Sequence, residues 1–296
     1  MPTERWLVTG ASGQLGSHVV RQLAGDAAGP TILALAGQQE VGTTGVEVRR
    51  VDLRDADALR TCVAAFRPTH LVHLGAMSAV ADCYARPDEA HVVNTVATQV
   101  LAEAAEDVGA CFIYSSTDMV FGGDAAPYRE ADPPNPLSHY GRTKAAAERV
   151  LIGMGGALVV RIPLLCGLPC NGRDTTFVKQ VAALRSRQPL RLFTDEFRTP
   201  VWLADAARAI MGLARSALTG VIHVAGPERL SRYELLARGA GLLGIASPNL
   251  IGISRLDVPA PEPRPADLSL DGGRFAGLFP RLTPGPIRAA VFDEAQ

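Results

Sequence analysis

Short apolar runs alternate with longer amphipathic ones along this chain. Residues 5–9, 31–35, 70–74, 110–114 and 157–161 are mostly apolar, the pattern of strands covered on both faces, and 46–52 predicts a further strand. Between them, residues 14–24, 55–66, 88–108 and 139–153 show helical spacing. The alternation predicts an α/β protein with a doubly wound parallel sheet. After residue 161 the rhythm loosens. Residues 166–174 are turn-rich, 175–187 and 203–216 predict helices, and 190–193 and 221–224 predict late strands. Ser231 and Glu234 form a capping box that should open a helix running towards Leu243. Residues 258–265 hold four prolines and read as an extended connector. These divisions predict a larger unit, residues 1–162 with 189–225, and a smaller C-terminal one, residues 163–188 with 226–296.

Composition narrows the function classes. The 296 residues suit one full α/β unit with an appendage. A formal net charge of -1 gives no basic field for nucleic acid or anionic lipid, so neither is expected as a partner. No apolar run reaches the roughly 20 residues that span a bilayer, and the first residues lack a secretion-signal layout. Five cysteines, at 62, 83, 111, 166 and 170, show no metal spacing and read as free thiols of a reducing cytoplasm. His70 and His73 sit three apart on a predicted strand and face opposite sides, so no metal site is expected.

The chemistry begins at Gly10-Ala11-Ser12-Gly13-Gln14-Leu15-Gly16, which joins the first strand to the first helix. Its glycines suit a tight turn, close approach of backbone to a pyrophosphate and close helix–strand contact, which predicts dinucleotide binding. An NAD site usually carries a carboxylate at the tip of the second strand. Here the tip reads Leu35-Ala36-Gly37-Gln38-Gln39, with neither carboxylate nor arginine before Glu40, and the missing carboxylate favours NADP. Tyr140 and Lys144 lie four apart on a predicted helix and so share a face. An ammonium beside a phenol should lower the phenol's pKa towards neutrality, as acid–base work on a carbonyl requires. Lys144 is one of only two lysines in the chain, which makes its spacing from Tyr140 informative. Ser115-Ser116-Thr117 ends an apolar strand, where ligands gather in doubly wound sheets.

The Gly10/Gly13/Gly16 turn, the Ser-Ser-Thr cluster before Val120-Phe121-Gly122, and the Tyr140/Lys144 pair resemble the extended short-chain dehydrogenase/reductase superfamily, with its Rossmann domain and smaller substrate-binding domain. "STDMVF", "PYREADPPNPLSHYGRTKAAAE" and "RPTHLVHLGAMSAV" are most similar to dTDP-4-dehydrorhamnose reductases and related sugar-nucleotide reductases. The resemblance implies NADP(H) or NAD(H) as cofactor, held by Gly10, Ser12, Gly13, Gln14, Leu15, Gly16, Asp52, Leu53, Leu74, Gly75, Ala76, Ser115, Tyr140 and Lys144. It implies that Thr117 hydrogen-bonds the substrate carbonyl, that Tyr140 donates a proton and that Lys144 holds the nicotinamide ribose. Met119 and Arg198 would touch the nucleotide sugar, Arg198 at its phosphates, and Asn94 would support the site. A homodimer is common in the superfamily. Dehydratases of this kind carry a glutamate base where Met119 stands, and methionine cannot take a proton. The resemblance therefore implies reduction of a keto group on a nucleotide-linked sugar. An NAD-dependent 4-epimerase, or a regulatory subunit like the methionine adenosyltransferase β subunit, are the alternatives.

Overall fold

The computed structural model describes residues 3–293. Its centre is a seven-stranded sheet built from β1 (Arg5–Thr9), β2 (Thr31–Ala36), β3 (Glu47–Arg50), β4 (His70–His73), β5 (Cys111–Thr117), β6 (Leu158–Ile162) and β7 (Gly220–His223). The strands lie in the order β7-β6-β5-β4-β1-β2-β3, and every neighbouring pair is parallel. The order reverses between β1 and β4, the switch point beyond which such sheets bind ligands.

Two apolar layers cover the inner strands, which explains why their sequences lack a polar face, whereas the edge strand β3 is charged and largely exposed. On one face lie α1 (Gln14–Ala24) and the helix Leu203–Ala214, where Ala206, Ala207 and Ala209 let the two helices approach closely. On the other lie α2 (Ala56–Phe66) and α3 (Ala97–Asp107), joined by α4 (His139–Met154) through Ala147 and Leu151. A separate apolar cluster joins Phe177, Leu184, Leu192, Leu235, Leu236 and Phe292 in the C-terminal part. Ser231 and Glu234 form the expected capping box, and a helix runs from Arg232 to Leu242.

Two elements depart from the sequence reading. The continuous helix expected over residues 88–108 is instead Val80–Ala85, Pro87–His91, a π-helical turn Val92–Val96, and then α3. Pro87 begins its own short helix because proline fits only a first turn, and the π turn rotates Asn94 and Thr95 inward. Strand Leu190–Phe193, assigned to the larger unit from sequence, pairs with Leu250–Ile253 instead and contributes Leu192 to the C-terminal cluster. Among the described residues no helix is long and apolar enough to cross a membrane.

Candidate active site

The glycine turn is shaped by backbone crowding. Gly10 has φ +63, and a Cβ there would stand 2.6 Å from the amide nitrogen of Gly75. A Cβ on Gly16 would lie 2.1 Å from the Gly10 carbonyl oxygen. The turn closes through Gly13 N–H to Gly10 O at 2.8 Å. Gly13 caps α1 without a side chain, and no acidic residue stands in the first turn. The leading N–H groups of α1 therefore have no partner in their own helix and meet no negative charge, which fits a pyrophosphate.

The strand β4 holds the turn's far wall. The Thr9 hydroxyl lies 2.6 Å from His73 Nδ1 and accepts from Gly75 N–H at 3.2 Å, while Leu74 N–H donates to Thr9 O at 3.3 Å. The Thr98 hydroxyl donates to Asn94 O, so His73 Nε2 is the donor to Thr98 at 3.0 Å and Nδ1 accepts from Thr9. Burial, aided by the Lys144 charge, lowers His73 to about 3 and keeps it neutral in this role. Leu53 packs on Gly75, and Ala76 continues the wall. Asp52 lies exposed at the edge, its carboxylate 2.5 Å from Arg54.

At the carboxyl end of β5, Thr117 is buried; its Oγ1 donates to Asp118 Oδ1 at 3.1 Å and accepts from Met119 N–H at 3.2 Å. Tyr140 is half-buried in the first turn of α4, close enough to Thr117 for that hydroxyl to act on its phenol's pKa. Lys144 is buried one turn on, its Nζ donating to Ser115 O at 2.7 Å and lying 4.1 Å above the Tyr114 ring centroid. The Ser115 hydroxyl donates to His73 O at 3.3 Å, so Ser115 serves the lysine through its carbonyl. The structure thus brings Thr117, Tyr140, Lys144 and Ser115 together beyond the sheet, beside the glycine turn.

One expectation is corrected. The Tyr140 phenol is raised, not lowered: burial comes first, the Asp118 charge adds to it, and the Thr117 hydrogen bond opposes it. Lys144 is not among the causes of that rise; its Nζ donates to Ser115 O and lies over the Tyr114 ring. Lys144 itself is lowered to about 7 by burial, with Glu148 opposing. The phenol therefore stays protonated at neutral pH, ready to donate.

α4 can come this close to the turn after β5 because residue 141 is glycine. A Cβ there would stand 2.2 Å from the Met119 carbonyl oxygen. Asn94, turned inward by the π turn, is 1% exposed; it accepts from Met77 N–H at 2.8 Å and donates to Met77 O and to Thr143 Oγ1, both at 3.0 Å. It ties the segment after β4 to the helix of Tyr140.

Arg198 is not free at the surface. Its Nε lies 3.2 Å from Asp118 Oδ2, both side chains are 6% exposed, and its Nη1 donates to Phe197 O at 2.7 Å. Arg232, half-buried, faces the same cluster, and the nearby Arg198 charge helps burial lower its pKa. Sequence reasoning missed several supports. Glu148 and Arg161 form a buried pair at 2.7 Å, and Ser116 Oγ also donates to Glu148. Glu262, from the proline-rich connector, accepts from His139 N–H at 2.7 Å and pairs with Arg142 at 2.9 Å, which fastens the C-terminal part to the start of α4. These partners stand far apart in sequence, and only the Glu148 position, one turn beyond Lys144, carried a local signal.

Comparison with known proteins adds four findings. The family model described as RmlD substrate binding domain matches residues 4–284. The dTDP-4-dehydrorhamnose reductase of Streptomyces griseus is 31% identical over 94% of this chain and 90% of its own length. The methionine adenosyltransferase 2 subunit beta of Xenopus tropicalis is 30% identical over 92% of this chain and 81% of its own. Among solved structures, dTDP-4-dehydrorhamnose reductase of Bacillus anthracis in complex with NADP superposes with a TM-score of 0.81 at 25% identity, covering 94% of this chain and 93% of that one.

Proposed function

The chain belongs to the RmlD substrate binding domain family, and on that premise we propose that it is an NAD(P)H-dependent oxidoreductase that reduces a keto group on a nucleotide-linked sugar. The observation that carries this reading is the convergence of Thr117, Tyr140 and Lys144 beyond β5, beside a glycine cradle with free helix N–H groups.

The dinucleotide would lie along Gly10–Gly16, Leu74–Ala76 and Ser115, and when bound it supplies the hydride. Tyr140 then presents its hydroxyl to the carbonyl oxygen, joined by Thr117 once its proton turns from Asp118 Oδ1 to the substrate. As negative charge grows on that oxygen, the phenol donates its proton, which burial has kept in place. Lys144 Nζ, held by Ser115 O, is positioned for a ribose hydroxyl. Asp118 keeps the Thr117 hydroxyl oriented, and Arg198 keeps Asp118 in place. Met119 offers no base, which argues against dehydration. The β2 tip lacks the ribose carboxylate expected of an epimerase that retains NAD. We assign residues 163–188 and 226–296 to sugar-nucleotide binding, supported by their own apolar cluster. Five unpaired thiols support a reducing, cytoplasmic setting.

The test is oxidation of NADPH and NADH against a panel of 4-keto nucleotide sugars. Turnover by the wild type, lost in Tyr140→Phe, is expected. The similarity to the methionine adenosyltransferase β subunit supports a second, regulatory reading. It would gain if no keto sugar turned over and the chain co-purified with a catalytic subunit.

A further inference from the structure

The segment that follows β6 and precedes the helix Thr176–Arg185 crosses the molecule and lies on the glycine turn. Asn171 Nδ2 donates to Ser12 O and to Glu40 O, each at 3.0 Å. Cys170 N–H donates to Ser17 Oγ at 3.2 Å, and Leu168 O lies 2.9 Å from His18 Nε2. Gly42, with φ +75, leaves room for it: a Cβ there would stand 2.8 Å from the Asn171 Cβ. One side chain, Asn171, thus fastens a strap to both the glycine turn and the loop after β2. Those two pieces flank the adenosine ribose in a doubly wound dinucleotide site.

We propose that this strap delivers Arg173 as the cation that recognises the 2′-phosphate of NADP, which makes it the residue that sets the preference for NADPH over NADH. Arg173 is exposed, its Nη1 lies 3.4 Å from Ser12 O, and among the described residues no carboxylate forms an ion pair with it. The arginines of β3 and of the turn after it each stand against a carboxylate in an exposed pair. Arg50, in register with Ala36, is held by Glu40 at 2.8 Å. Arg49 is held by Glu47 at 2.6 Å and Arg54 by Asp52 at 2.5 Å. Gln38 and Gln39 at the tip itself carry no charge. A guanidinium fork without a counterion, beside a ribose pocket that lacks the NAD-type carboxylate, suits a dianion that NADH does not possess. The inference rests on the dinucleotide-binding reading, though not on the identity of the sugar.

Direct binding tests it without any substrate. NADPH and NADH are titrated by calorimetry into the wild type, Arg173→Gln, Asn171→Ala and Arg50→Gln. Arg173→Gln should weaken NADPH by about tenfold while NADH stays within about twofold, the change expected for losing one exposed charge-assisted contact. Asn171→Ala, which unfastens the strap, should show the same selective loss. Arg50→Gln should leave NADPH binding as it was. Equal weakening of both dinucleotides by Arg173→Gln would place the arginine on the pyrophosphate or on the fold and overturn the proposal. So would no weakening at all, or a loss of selectivity in Arg50→Gln instead. A wild type that bound neither dinucleotide would overturn the cofactor reading itself, an outcome distinct from the others.

Discussion

The proposed cofactor side and the proposed substrate side of this site are built by different means. The cofactor side is mostly backbone: three glycines within seven residues, a helix start without a side-chain cap, and a wall hung on Thr9 and His73. The substrate side is mostly charged side chains recruited from afar, with Arg198 reaching Asp118 and Glu262 reaching His139. A backbone cradle depends on space at fixed local positions. A buried ion pair depends on both partners arriving, and removing one strands the other in a low dielectric.

That difference can be broken most severely at Arg198. Arg198→Met should cost about 3–5 kcal/mol in urea unfolding, because Asp118 is left buried without its partner. The double variant Arg198→Met with Asp118→Leu should recover most of the loss. If the single variant cost less than about 1 kcal/mol, the pair would be no more than an ordinary surface bridge.

On the cofactor side, Gly16→Ala should cost about 1–3 kcal/mol by overpacking against the Gly10 carbonyl. It should also weaken NADPH and NADH alike, since both need the same turn. Unchanged stability with unchanged dinucleotide affinity would show that the turn has slack the structure does not indicate.

A smaller effect concerns pH. Lys144 is lowered to about 7 from a usual 10.5, so between those values the unfolded chain binds the extra proton and stability rises with pH. Above about 9 the trend reverses, because burial raises Cys83 to about 11 and also raises Cys166, Tyr114 and Tyr140. Below 6.5, His73 and His223, both lowered to about 3, resist protonation in the fold, and stability falls as pH drops. Chemical denaturation across pH 7–9 should therefore show a rise that Lys144→Met removes. A flat wild-type profile there would contradict the burial of the ammonium.

The same contrast explains what the sequence disclosed. The glycine turn and the Tyr140/Lys144 spacing are local patterns whose geometry follows from a tight turn and from helical periodicity. The direction of the Tyr140 shift did not follow. Shared helix face says that Lys144 points the same way, not that burial and the Asp118 charge decide the phenol's shift. Asn94 was in view, but its inward turn depends on a π-helical insertion that periodicity does not register. Asp118, Arg198 and Glu262 became legible only once folding had joined distant segments. Strand Leu190–Phe193 was recognised as a strand, yet its partner lies far along the chain at Leu250–Ile253.

The central claim is that Tyr140 is the proton donor of a reductase. Its most direct test is single-turnover hydride transfer from saturating NADPH to a 4-keto nucleotide sugar, comparing wild type with Tyr140→Phe, alongside NADPH affinity for each. A loss of about 10²–10⁴-fold in the transfer rate with unchanged NADPH affinity is the predicted result. Equal transfer rates in the two proteins would contradict it.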